Sequence, residues 1–191
     1  MKFPHWISGA LIAAIILSGC HALPALHYYA LDAVRPTAGA RPAADPLLIH
    51  VRRVGIPHEM DHLGLTYHLG PTQLAISDND QWTAPLNVLI QGTITADLGE
   101  RLGYGHVLAI DAPAAPTQTA LDLDFVALSA GDSCGVTAQV NWTLSAANGT
   151  TRRGTAQLAA PGADCPGRLP AALSAALGDL ADQLVVQLTS P

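Results

Sequence analysis

Val136-Thr137-Ala138-Gln139-Val140-Asn141-Trp142-Thr143-Leu144-Ser145 alternates apolar and polar residues over its whole length, and Asn148-Gly149 follows. Alternation with period two marks a strand with one buried and one wet face, and Asn-Gly is a preferred two-residue hairpin turn. The stretch predicts an antiparallel hairpin in which Thr151 to Ala159 returns. With Asn148 and Gly149 as the central turn residues, opposed positions sum to 297, so Cys134 faces residue 163. Cys165 lies two residues further on, at a parity that keeps both cysteines on one face. A disulfide between them would stabilise the fold by about 3 to 4 kcal/mol in the chain-entropy account. Two free thiols or soft metal ligands are the other reading of the pair.

Working outward, two helices are expected. Leu86, Ile90, Ile94, Leu98 and Leu102 recur every four residues, with Thr83 or Ala84 as N-cap, Pro85 near the first helical position and Gly103 as the stop. Leu173, Leu177, Leu180, Leu184 and Leu188 form a second stripe after Gly167 and Pro170, with Asp179 and Asp182 on the other side. Strands are expected at His27 to Leu31, on an edge, and at Leu47 to Val54. Two short strands flank Gly70-Pro71, a further one runs from Gly105 to Asp111, and another holds Leu121, Leu123 and Phe125. Asp122 and Asp124 on the wet face of that last strand read as solubilising carboxylates. Ala33 to Pro46, with its prolines, reads as a spacer. The fold class is α+β: one domain, an antiparallel-rich sheet with two amphipathic helices packed on one face.

At the other end, Leu17-Ser18-Gly19-Cys20 follows an apolar run of about a dozen residues, too short to cross a bilayer and suited to an export signal. The tetrapeptide resembles the lipobox of bacterial lipoproteins. That resemblance implies cleavage before Cys20 and acylation at Cys20, giving a signal peptide at 1-19, a lipidated tether at 20-26 and a folded domain at 27-191. His21, where aspartate would favour inner-membrane retention, points to the outer membrane. No second run is expected to span a bilayer. The mature chain keeps eight arginines against 15 acids and has no lysine, a net charge of −7 that argues against nucleic acid as partner.

His58-Glu59-Met60-Asp61-His62, with His68 beyond, matches H-E-x-x-H. On a helix, such histidines can hold zinc while the glutamate activates water. The setting argues otherwise, because a strand ends just before at Val54-Gly55-Ile56-Pro57 and Gly64 follows closely. A polar loop is the expectation; a periplasmic zinc metallopeptidase using His58, Glu59, His62 and His68 is the alternative.

The lipobox, Tyr28-Tyr29-Ala30-Leu31-Asp32, the strand ending in Gly55-Ile56-Pro57, and Trp82-x-x-Pro85-Leu86 opening a helix occur in that order. Together they resemble the PqiC/YmbA family of ABC-type transport auxiliary lipoproteins. A tryptophan-bearing strand, a hairpin and a C-terminal amphipathic helix, similar to Trp142, Asn148-Gly149 and residues 170 to 189, extend the likeness over nearly the whole mature chain. Gln81 and Ala84 depart from the arginine and glutamate often found there. The resemblance implies a non-enzymatic, cofactor-free accessory subunit, held at the periplasmic face of the outer membrane and docking an MCE-domain protein of a lipid transport system. Met60, Tyr67 and Trp82 are the expected docking residues. A structural outer-membrane lipoprotein without a transport partner is the plainer alternative.

Overall fold

The computed structural model describes residues 24–36, 48–113 and 115–189. The signal segment, Cys20 and most of the Ala33 to Pro46 spacer lie outside them. Among the described residues seven strands and two α-helices follow in the order β1 (His27–Tyr29), β2 (Ile49–Gly55), β3 (Gly64–Gly70), β4 (Gln73–Trp82), α1 (Leu86–Leu102), β5 (Thr119–Ala130), β6 (Val136–Ser145), β7 (Thr151–Ala160) and α2 (Leu169–Thr189). The strands form two sheets, ordered β1-β4-β3 and β2-β5-β6-β7. Each sheet mixes directions, because β1 is parallel to β4 and β2 to β5 while the other pairs are antiparallel. This is an α+β domain, with its strands divided between two sheets where one was expected.

Both helices cover one face of the larger sheet, α1 against β2 and α2 against β6 and β7. Alternation explains which face. Val136, Ala138, Val140, Trp142 and Leu144 are buried, while Thr137, Gln139 and Asn141 are exposed. On the wet side Arg52 donates to both carboxylate oxygens of Asp122. α2 is long and apolar enough to span a bilayer, contrary to the expectation from the sequence. Most of its apolar surface is spent inside the domain, which is the behaviour of a core helix.

Local chemistry moved several boundaries. Pro85, in extended backbone, is itself the cap of α1, and its carbonyl accepts from the N–H groups of Val88 and Leu89. Gly103, at φ 95°, ends the helix as expected. The chain then makes a short 3-10 turn at Tyr104–His106, and only Val107 bridges to Ile49, so the strand expected from Gly105 to Asp111 does not form. The hairpin register also differs by one. Observed pairs sum to 296, from Val136 with Ala160 to Ser145 with Thr151. The loop holds three residues: Ala146 N–H donates to Thr150 O, Asn148 Oδ1 accepts from Thr150 N–H, and Gly149 takes φ 87°. This is the three-residue hairpin in which a left-handed glycine closes the turn. The slip places Gly154 opposite Trp142, where a Cβ would overlap the indole. Cys134 and Cys165 remain within reach of each other and form a disulfide, with Cα atoms 5.1 Å apart.

One buried charge ties these parts together. Arg101 on α1, 3% exposed, makes six hydrogen bonds. Nη1 donates to Val34 O at 3.0 Å and to Asp97 O and Oδ1; Nη2 donates to Gly178 O at 2.9 Å and to Asp182 Oδ2; Nε donates to Asp182 Oδ1 at 2.7 Å. Val34 N–H in turn donates to Asp97 Oδ1 at 2.8 Å, and Asp32 N–H to Ser174 Oγ. The segment after β1 is thereby strapped across both helices, with Leu31 in the core.

Arg101→Met leaves Asp97 buried without its cation and should cost about 3–5 kcal/mol in urea denaturation. Burial pushes Asp97 up to about 6, against the opposing pull of the Val34 N–H and Arg101, and Asp182 adds to the rise. A carboxyl raised in the folded state favours folding most when protonated, so its contribution is complete below about pH 4 and disappears as pH rises through about 6. Relative to Asp97→Asn, the wild type should therefore lose about 3 kcal/mol between pH 4 and 7.5, a difference read from unfolding midpoints at the two pH values.

Candidate docking surface

The H-E-x-x-H stretch forms one 3-10 turn, His58–Met60, with Met60 N–H donating to Pro57 O and Asp61 N–H to His58 O. Pro57 fixes the entry and Gly64 begins β3, so the helix that would align His58 with His62 does not form. His62 lies in the connection to β3, and His68 is on β3 opposite Leu74. Among the described residues no three His, Cys, Asp or Glu side chains gather where they could hold a metal ion. The motif therefore sits on a turn, without the helix its metal chemistry requires.

The three residues expected to dock a partner fall differently. Met60 is 4% exposed and Trp82 3%, both within the continuous core, and Tyr67 is half-buried against it. Met60 and Trp82 thus have a packing role in place of the exposed one expected. Trp82 closes β4: its N–H donates to Leu63 O, and the next N–H, of Thr83, reaches Tyr29 O. The indole is held where β1, β3 and β4 meet the start of α1.

Exposed apolar groups at the small sheet are instead Leu63 just before β3 and Leu69, Leu74 and Ile76 on the hairpin, each between 40 and 54% exposed, with Tyr28 on β1 at 62%. Leu74 and Ile76 share one face of β4, and Leu69 projects from the other face of the hairpin near its tip. Single exposed leucines need no explanation, but Leu74 and Ile76 side by side on one face of β4 form a patch that a partner could cover. The sequence signal was present in Gln73-Leu74-Ala75-Ile76-Ser77: two large apolar residues at period two, with only small or polar groups between them.

Beside this hairpin, Asp80 anchors the edge strand. It accepts from Ser77 Oγ at 2.7 Å, Tyr29 OH at 3.1 Å and His27 at 3.2 Å. Burial pushes its carboxyl up, yet the hydrogen bonds from Ser77, Tyr29 and His27 outweigh that and hold it below the ordinary carboxylate range. This cluster fixes β1, the first strand among the described residues.

The chain, an α+β domain of two mixed sheets and two helices, belongs to the family described as ABC-type transport auxiliary lipoprotein component, matching it over residues 29–185. It is 27% identical over 92 residues to the intermembrane transport lipoprotein PqiC of Escherichia coli strain K12, and to that of Shigella flexneri. Those matches cover 48% of this chain and 49% of each relative, about half the length of either. Among solved structures, one of an uncharacterized protein superposes with TM-score 0.72 at 19% identity, covering 86% of this chain and 99% of that one. A protein of Xanthomonas campestris superposes with TM-score 0.64 at 14% identity, covering 86% and 94%. These two likenesses concern the fold.

Trp82→Ala should lower the unfolding free energy by about 3–5 kcal/mol. Leu74→Asp combined with Ile76→Asp should change it by no more than about 0.5 kcal/mol per site, in the same urea titration.

Proposed function

We propose that this chain is the outer-membrane-anchored, periplasm-facing accessory subunit of an MCE-type ABC system that moves lipid between the two membranes, and that it acts by docking. The observation that carries the reading is the family match across the folded domain together with the lipobox at Leu17 to Cys20. Its reaction chemistry is nil on this reading: the acyl groups on Cys20 hold the protein, and the domain holds the MCE-domain partner.

Geometry gives the reading a physical scale. Only residues 21 to 26 separate Cys20 from β1, and the seven residue steps from 20 to 27 extend about 25 Å at most. Each buried CH₂ of an acyl chain contributes about 0.8 kcal/mol, so two or three chains give a stable anchor where one would not. A domain moored so closely is a fixed receptor on the membrane surface. Leu74 and Ile76, on one face of β4, then offer the partner an apolar patch.

Cys20→Ser should abolish palmitate labelling, release the protein from the outer-membrane fraction and leave its thermal unfolding unchanged. Capture of the MCE-domain protein from detergent extracts should weaken on Leu74→Asp with Ile76→Asp. Wild-type protein recovered unacylated, or no capture at all, would overturn the proposal.

A further inference from the structure

Among the described residues, every ladder longer than three pairs slips somewhere, except one. β2 slips against β5 between Val51 and Arg53, β3 against β4 near both ends, and β5 against β6 between Phe125 and Ala127. β6 and β7 pair without interruption from Val136 with Ala160 to Ser145 with Thr151. β7 is also the last strand of its sheet, with no strand on its outer edge among the described residues.

Free edges invite pairing, and proteins usually blunt them with proline, a bulge or inward-pointing charge. β7 contains no proline and no bulge, and its only charges are Arg152 and Arg153 near its start. The bond from Ala146 N–H to Thr150 O marks that pair as hydrogen-bonded. Alternation then turns the main-chain groups of Arg152, Gly154, Ala156 and Leu158 toward β6, and those of Arg153, Thr155, Gln157 and Ala159 outward.

A groove of about 500 Å³ runs along this edge, between β7 and α2. Trp142 lines it where Gly154 leaves room for the ring, Leu184 contributes an apolar wall, Gln183 and Gln187 add amides, and Arg152 and Arg153 supply positive charge. No acidic side chain lines it, in a protein whose formal net charge is −6. By strand parity the two guanidinium groups leave from opposite faces of β7.

We propose that the outer edge of β7 takes up, by strand addition, an extended acidic segment of a partner protein. The added strand would exchange main-chain hydrogen bonds with Arg153, Thr155 and Gln157 and lay apolar side chains toward Trp142 and Leu184. Two consecutive carboxylates would meet Arg152 and Arg153, one on each face. This concerns the recognition element alone, so it stands or falls independently of which protein the partner is.

The test is a fluorescently labelled ten-residue peptide, two glutamates followed by alternating valine and threonine, titrated by anisotropy against the full-length protein in detergent. Binding should be saturable. N-methylation of alternate amides should weaken it about tenfold in one frame and leave it unchanged in the other. Arg152→Glu with Arg153→Glu should weaken it about tenfold, and replacing the peptide's glutamates by arginines should restore binding to that variant. Amide exchange at Thr155 and Gln157 should slow on binding. Equal binding of both N-methylated frames would overturn the proposal. So would phosphatidylglycerol vesicles, but not the peptide, being bound through the two arginines, which would make the groove a headgroup site. A dimer in light scattering whose β7 amides are protected without peptide would overturn it too, by showing a second copy on the edge.

Discussion

The fold depends on a single cation kept out of water. Arg101 would be costly to bury alone, but six oxygens from three separate stretches of chain converge on it: two from Asp97, two from Asp182 with one more from Gly178 beside them, and one from Val34 completing the shell. These contacts join α1, α2 and the segment following β1, which otherwise share few neighbours in sequence. Such a cluster adds little net stability compared with an apolar core of equal volume, because desolvation offsets most of the Coulomb attraction. What it does set is arrangement: α2 can slide along α1 only by stranding Asp97, whose second oxygen, Oδ2, already lacks a hydrogen-bond partner.

Much of the fold was legible in the sequence because burial leaves a period. The alternation of β6 and the leucine rows of α1 and α2 gave those elements nearly to the residue. The sheet division was not legible, since pairing of β1 with β4 and of β2 with β5 is long-range and parallel, and neither short strand announces its partner. The hairpin register failed for a local reason, a three-residue loop where Asn-Gly suggested two. The strand expected after Gly103 failed because residues 104 to 106 wind into a turn and a single bridge at Val107 satisfies the rest.

The exposure of the expected docking residues was misjudged. Large aromatic and sulfur side chains attract attention as docking groups, but size is also what fills a core, and Trp82 and Met60 were taken inward. The Arg101 cluster was overlooked although Thr93, Asp97 and Arg101 form an i, i+4 row beside the apolar row of α1. Charges at that spacing usually pair on a wet face, and only the approach of α2 and residues 31 to 34 makes this row interior. The histidine motif was legible as a polar turn, because its chemistry requires a helix that Pro57 and Gly64 do not permit.

The strap formed by residues 31 to 34 also determines where mechanical load would go. A pull on the chain ahead of residue 27 is first borne by β1, which has only three paired residues on β4 and the side-chain bonds to Asp80. If those part, the tension arrives next at Val34, gripped through both its N–H and its carbonyl by groups on α1. The sheets and their core lie behind that clasp. The molecule is therefore built to give up a few residues as slack before any strain reaches the body of the fold.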